Sequence, residues 1–168
     1  MLNEAIRLTL FPAMMAFAAS SDLLTMTIAN RVSLILIGGF VVLAGLSGMS
    51  ESELLSHFGA AAAVLAVAFL CFSFGWIGGG DAKLAATSAL WLGFGHLLDY
   101  LIYASILGGA LTLLLLQFRN WPLPQALAER EWVDRLHRPD GGVPYGIALA
   151  AAALIVYPQT DWMTLSGV

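Results

Sequence analysis

Gly78-Gly79-Gly80-Asp81-Ala82-Lys83 lies between two long apolar runs. An ionisable group beside or within a membrane segment is costly unless it is paired or wet, so it marks a functional site by default. Glycine frees the backbone to bend and lets another segment approach closely. The reading of the whole chain turns on what Asp81 is held against.

The surrounding composition fixes the solvent. Of 168 residues, 60% are hydrophobic and 11% charged, with a mean hydropathy of +0.85. Soluble domains are about half apolar and a quarter charged. The expected class is therefore an all-α, polytopic integral membrane protein with a single membrane domain over residues 1–168. A net charge of −4 with no basic cluster gives no footing for nucleic acid. Cys71 is the one cysteine, which excludes an internal disulfide or a cysteine-based zinc site and reads as a small core residue. The N-terminal apolar run is preceded by Glu4 and Arg7, which cancel, so it reads as a retained first span rather than a cleaved signal.

A spanning helix needs about 20 mostly apolar residues. Six candidates follow: Leu2 to Ser20, Val32 to Met49, Ser56 to Ile77, Ala82 to Leu98, Asp99 to Phe118 and Val143 to Gln159. Spans four and five are divided at His96 to Asp99. The longest connection, Arg119 to Gly142, mixes arginines and acids and offers a short surface helix over Glu129 to Leu136. Six of the seven bases (Arg31, Lys83, Arg119, Arg130, Arg135 and Arg138) fall on one face. That face is cytoplasmic by the positive-inside rule, and both termini then lie on the non-cytoplasmic side.

Counting spans puts Asp22, just after span one, and Asp81, at the start of span four, on the same cytoplasmic side. Two carboxylates a few ångströms apart cannot both ionise readily, so such a pair shares a proton. The ionised member takes a proton from a water that attacks a peptide carbonyl, and the protonated member hydrogen-bonds the developing oxyanion. No metal or cofactor is needed. Glycine-rich backbone at membrane depth is tolerated where protein or a wet cavity satisfies it. A blander reading stands beside this one: Asp81 as the N-cap of span four, Asp22 as a solvated loop acid, Asn30 as the cap of span two, and Lys83 as a snorkelling anchor.

Two motifs then carry a resemblance. Gly78 to Leu84 resembles the Gly-x-Gly-Asp-x-Lys-Leu signature of the type IV prepilin peptidases, which belong with the Gly-x-Gly-Asp intramembrane aspartyl proteases. Asp22 to Asn30 is similar to that family's first motif, an Asp followed by Ile-Pro-Asn. Pro144-Tyr145-Gly146 resembles the Pro-Tyr-Gly that opens the last helix of short members. The resemblance implies a catalytic pair, Asp22 and Asp81. It implies support from Gly78, Gly80, Lys83, Asn30, Pro144, Tyr145 and Gly146. It implies a prepilin or pseudopilin substrate presented from membrane lipid and cut at the cytoplasmic face of the inner membrane. The chain lacks the paired Cys-x-x-Cys insertion of the larger members, which also N-methylate their product. It looks like the short TadV/CpaA-type peptidases of tight-adherence (Flp) pilus systems. The family's Pro is Ala29 here, and Leu24, Met26 and Thr27 stand where basic residues are usual.

The other candidates are expected to be structural. His57, His96 and His137 are far apart in the sequence and offer no metal site. The glycines at 38, 39, 45, 48, 108 and 109 read as helix-packing points. Trp76, Trp91, Trp121 and Trp132 read as interface anchors. The rival functions are a proton-coupled transporter or channel using the same acids, and a non-catalytic assembly component in which they only cap helices.

Overall fold

The computed structural model describes residues 2–164, and among them all regular structure is helical. Four long helices carry the fold: α1 (Leu2–Thr25), α2 (Asn30–Ser47), α3 (Glu51–Ser73) and α4 (Gly79–Arg119). Each is long and apolar enough to cross a membrane. Two short helices, α5 (Gln125–Ala128) and α6 (Glu131–His137), occupy the long connection. The apolar helix α7 (Tyr145–Val156) continues as a 3₁₀ turn over Tyr157–Gln159 and ends in α8 (Asp161–Thr164).

Helix α4 is not one rod. Its 41 residues would run about 60 Å if straight, twice the thickness of a hydrocarbon core. Gly93 interrupts it at φ 66°, ψ 178°, a conformation essentially reserved for glycine. Tyr100 then lies against Ser88 and within electrostatic reach of Asp81. A straight helix would hold Tyr100 and Asp81 about 28 Å apart, so the chain doubles back at Gly93. The sequence predicts this turn at the polar residues His96 to Asp99. It falls three residues earlier, because one glycine can adopt the reversing dihedral and the polar side chains cannot.

The reversal frees backbone groups that lipid cannot satisfy. His57 Nδ1–H donates to the Leu90 carbonyl at 2.7 Å, and the Phe94 N–H donates to Ser56 Oγ at 3.2 Å. Trp162 Nε1–H donates to the Trp91 carbonyl at 2.8 Å. The His57 ring fills the place a Cβ on Gly93 would take, 3.1–3.3 Å away. Helix α3 starts early enough to deliver these residues, because Ser50 and Glu53 form a capping box that begins it at Glu51 rather than Ser56.

The same end is pinned by aromatic packing. Phe11 stacks on Tyr157 (4.5 Å between centroids), and Trp91 lies 5.2 Å from Phe11 and 5.3 Å from Trp162. Trp91 is wholly buried and donates to the Leu36 carbonyl at 3.0 Å, so it is a core residue and not an interface anchor. Trp76, Trp121 and Trp132 are exposed, as interface residues are. Arg7 Nη2–H donates to Ser47 Oγ, and Tyr157 Oη–H to the Arg7 carbonyl. Both ends of the described chain therefore lie at the end of the bundle away from Asp22 and Asp81. With the two legs of α4 (79–92 and 94–119), the described residues pass along the bundle six times.

Other details differ from the sequence reading. His57 and His96, separated in sequence, line one 200 Å³ cavity with Glu53 and Asp161. Gly39 and Gly108 are packing points, whereas Gly38, Gly45, Gly48 and Gly109 face open space. Cys71 is half-buried rather than in the core.

Candidate active site

Asp22 lies inside α1, one turn before its end, and is 5% exposed. The expectation of a solvated loop acid fails because the helix runs five residues past Ser20. It stops at Met26, which takes the left-handed conformation (φ 54°) common after helix ends. Its N–H donates to the Asp22 carbonyl at 2.8 Å. Ser21 Oγ–H donates to the Thr27 carbonyl at 2.8 Å, and the Thr25 and Thr27 hydroxyls bond at 2.7 Å. The chain is folded back over α1, which carries Ile28 inward.

Asp81 is the third residue of α4's first turn and half-buried. The helix is capped by Gly78 rather than by Asp81, and the Asp81 carboxyl lies beside Gly78, at the position of the acidic arm of a capping box. The capping and catalytic readings are thus compatible. The triple glycine is not a positive-φ hinge: Gly78 has φ −72°, and the left-handed residue of the turn is Gly75. Its purpose is clearance. A Cβ on Gly80 would stand 3.2 Å from Ile28 Cβ, and one on Gly78 would stand 3.0 Å from Asp81 Oδ2.

The two acids meet at a third element. The Gly146 N–H, in the first turn of α7, donates to Asp22 Oδ2 at 2.7 Å, and the Asp81 carboxyl lies near the same amide. Asp22 and Asp81 lie within electrostatic reach of each other. Gly146 is the one residue type that fits, since a Cβ would meet Ile28 Cδ1 at 2.7 Å and Asp22 Oδ2 at 2.8 Å. Pro144 caps α7 and is buried. Tyr145 packs its ring on Gly108 and bonds Thr112 through its hydroxyl at 3.0 Å, fixing α7 against the second leg of α4. Asp22 thus faces the N-terminal end of α7 and Asp81 sits in the first turn of α4, where the helix dipoles are positive.

Lys83 points away from the pair and donates to Asn30 Oδ1 at 2.8 Å. Asn30 is the first helical residue of α2 and not its cap, which is Ala29. Ala29 holds φ −65°, the angle proline would impose, so the departure from Ile-Pro-Asn leaves the turn's shape unchanged.

A model of the type IV leader peptidase family matches residues 9–113. The chain belongs to that family. The matched stretch holds Asp22, Asp81 and the glycine turn, and ends before Pro144 to Gly146. No curated protein and no solved structure matches the chain. As a leader peptidase it is a hydrolase embedded in a membrane.

Two contributors to the site are not evident from the sequence. Ile28 touches both Gly80 and Gly146 and so sets the spacing of the two acid-bearing helices; its place within the Asp22-to-Asn30 motif is the one available signal. Arg135, on α6, donates to the Leu24 carbonyl at 3.0 Å and ties the long connection to the end of α1. The surface helix expected over Glu129 to Leu136 is α6, starting two residues later.

Proposed function

We propose that this leader peptidase is an aspartyl endopeptidase whose Asp22–Asp81 pair activates water to cut the leader of a prepilin or pseudopilin. The observation that carries the reading is that Asp22, held by the Gly146 N–H at 2.7 Å, lies within electrostatic reach of Asp81. Two neighbouring carboxyls that repel each other's charge favour the state in which one of them keeps a proton. The ionised member removes a proton from the attacking water, and the other hydrogen-bonds the carbonyl oxygen as it gains charge. The helix N-termini facing the pair add fixed positive potential where that charge develops.

The cut falls at the cytoplasmic face of the inner membrane. The support is that Arg31, Lys83 and the arginine-bearing connection lie at the aspartate end of the bundle, while Arg7 lies at the other. The absence of a cysteine-paired insertion favours a short, Flp-type enzyme that cleaves without methylating.

The test is cleavage of a co-expressed prepilin by Asp22→Asn and Asp81→Asn. Each should lower the rate at least about 100-fold with normal accumulation in the membrane, because Asn still accepts from a backbone N–H. Processing at the normal rate by either variant would sink the dyad.

A further inference from the structure

A groove of 570 Å³ runs along the outside of the bundle between α2 and α3, floored by the first leg of α4. The two walls meet at the end away from the aspartates, where Phe40 and Phe58 pack edge to face at 5.7 Å. Towards the aspartates the groove ends at Asn30 and Lys83. Lys83 stands two residues beyond Asp81 and so on the opposite face of α4, which puts the mouth of the groove and the reactive pair at the same end of the bundle on different sides of that helix.

The lining is graded. At the mouth are Asn30, Ser33, Lys83 and Thr87, and farther from it are Ile37, Phe58 and Leu90. Part of the α3 wall and of the floor is small, with Ala61, Ala62 and Ala86. Close approach of a helix backbone in a membrane depends on such small residues. The rim side chains are exposed, Leu34 by 67% and Leu65 by 47%, so the groove is open to the bilayer. From Asn30 to Ile37 it extends about 10 Å, or two helical turns.

We infer that this groove seats the apolar helix of the substrate itself, in the stretch that follows the cleaved leader. The inference rests on the peptidase reading and extends it. A helix hides its carbonyls in its own hydrogen bonds, so a bond can be cut only where the segment leaves helical form. The graded lining suits that requirement. The apolar depth holds helix, and the polar mouth offers Asn30 and the Lys83 ammonium to backbone groups released as the segment unwinds and passes around the first turn of α4 towards Asp81. An acyl chain would match the depth and leave the polar mouth unmatched. A second copy of this chain seated there would block the mouth.

The experiment uses the full chain carrying Asp81→Asn, with a photoreactive residue in place of Leu34, Leu65 or, as control, Leu113. Leu113 is 68% exposed on the second leg of α4 and lines no part of the groove. The probe is a tagged precursor with a basic leader ending in glycine, followed by an apolar helix of about 20 residues. Irradiation in membranes should give an enzyme–precursor adduct from positions 34 and 65 and none above background from 113. Equal adducts at all three positions, or only lipid or enzyme–enzyme adducts at 34 and 65, would overturn the inference. Cleavage by the unsubstituted enzyme is measured in parallel. Cleavage without the adduct removes the groove and leaves the peptidase; the adduct without cleavage does the reverse.

Discussion

Replacing Gly146 with alanine tests the centre of the site with a single methyl group. The new Cβ would lie 2.8 Å from Asp22 Oδ2 and 2.7 Å from Ile28 Cδ1, where ordinary contact begins at 3.4 Å. Something must therefore move by about 0.6 Å or more. The constraint is sharp because Oδ2 is also the atom that accepts the Gly146 N–H at 2.7 Å. The carboxylate cannot retreat from the methyl and keep the bond. A hydrogen bond to a charged group is worth about 1.5–3 kcal/mol, equivalent to about 10–100-fold, and a 1 Å misplacement at a reacting centre costs about 100-fold. The expected result is a kcat lowered about 100-fold with KM little changed, since the leader's contacts elsewhere are untouched. The assay is cleavage of purified precursor in detergent or proteoliposomes, normalised to folded enzyme, because overpacking also costs about 1–3 kcal/mol of stability. Gly109→Ala is the companion, since nothing lies within 4 Å of its Cβ, and it should cleave normally. A folded Gly146→Ala enzyme with wild-type kcat would refute the claim that this amide holds the pair in place.

Three further outcomes follow from the same geometry. Gly93→Ala forces a side chain into a positive-φ conformation against the His57 ring, and should cost about 1–3 kcal/mol, read as a lower Tm of the detergent-solubilised enzyme. Ala29→Pro should be tolerated and raise stability by up to about 1 kcal/mol, with cleavage unchanged, because φ is already −65°; a lower Tm would contradict the assigned turn. Arg119→Met removes donors to the carbonyls of Leu136, Gly141 and Gly142, and should make residues 120–142 cut faster in limited proteolysis.

Much of this arrangement is legible in the amino-acid sequence. Asp22 and Asp81 stand out as charges in an apolar chain, and their alternation with the spans puts them at one end. The reversal in α4 is not legible at its true position. The visible polar residues, His96 to Asp99, point away from it, whereas the decisive property is one glycine's dihedral angle. Nor is the rescue of that break legible, because Ser56, His57 and Trp162 supply it from distant parts of the chain. Ser50 and Glu53 look like loop residues in a linear reading, although they form a capping box that fixes where α3 begins. Gly146 is visible in the sequence only through the family resemblance, and without a role.

Hydropathy and charge are local and additive along the chain. For that reason the solvent, the helical class, the two acids and the end of the bundle they share can all be read from the residues in order. What holds the acids together is a matter of tertiary packing alone. Clearance at Gly80 and Gly146, the wedge of Ile28 and the bond from the Gly146 amide to Asp22 are distances between segments far apart in sequence. Those distances come into existence only when the helices pack. The glycine turn at residues 78–80, a hinge by its composition, is in the folded protein the space into which Ile28 and the partner helices fit.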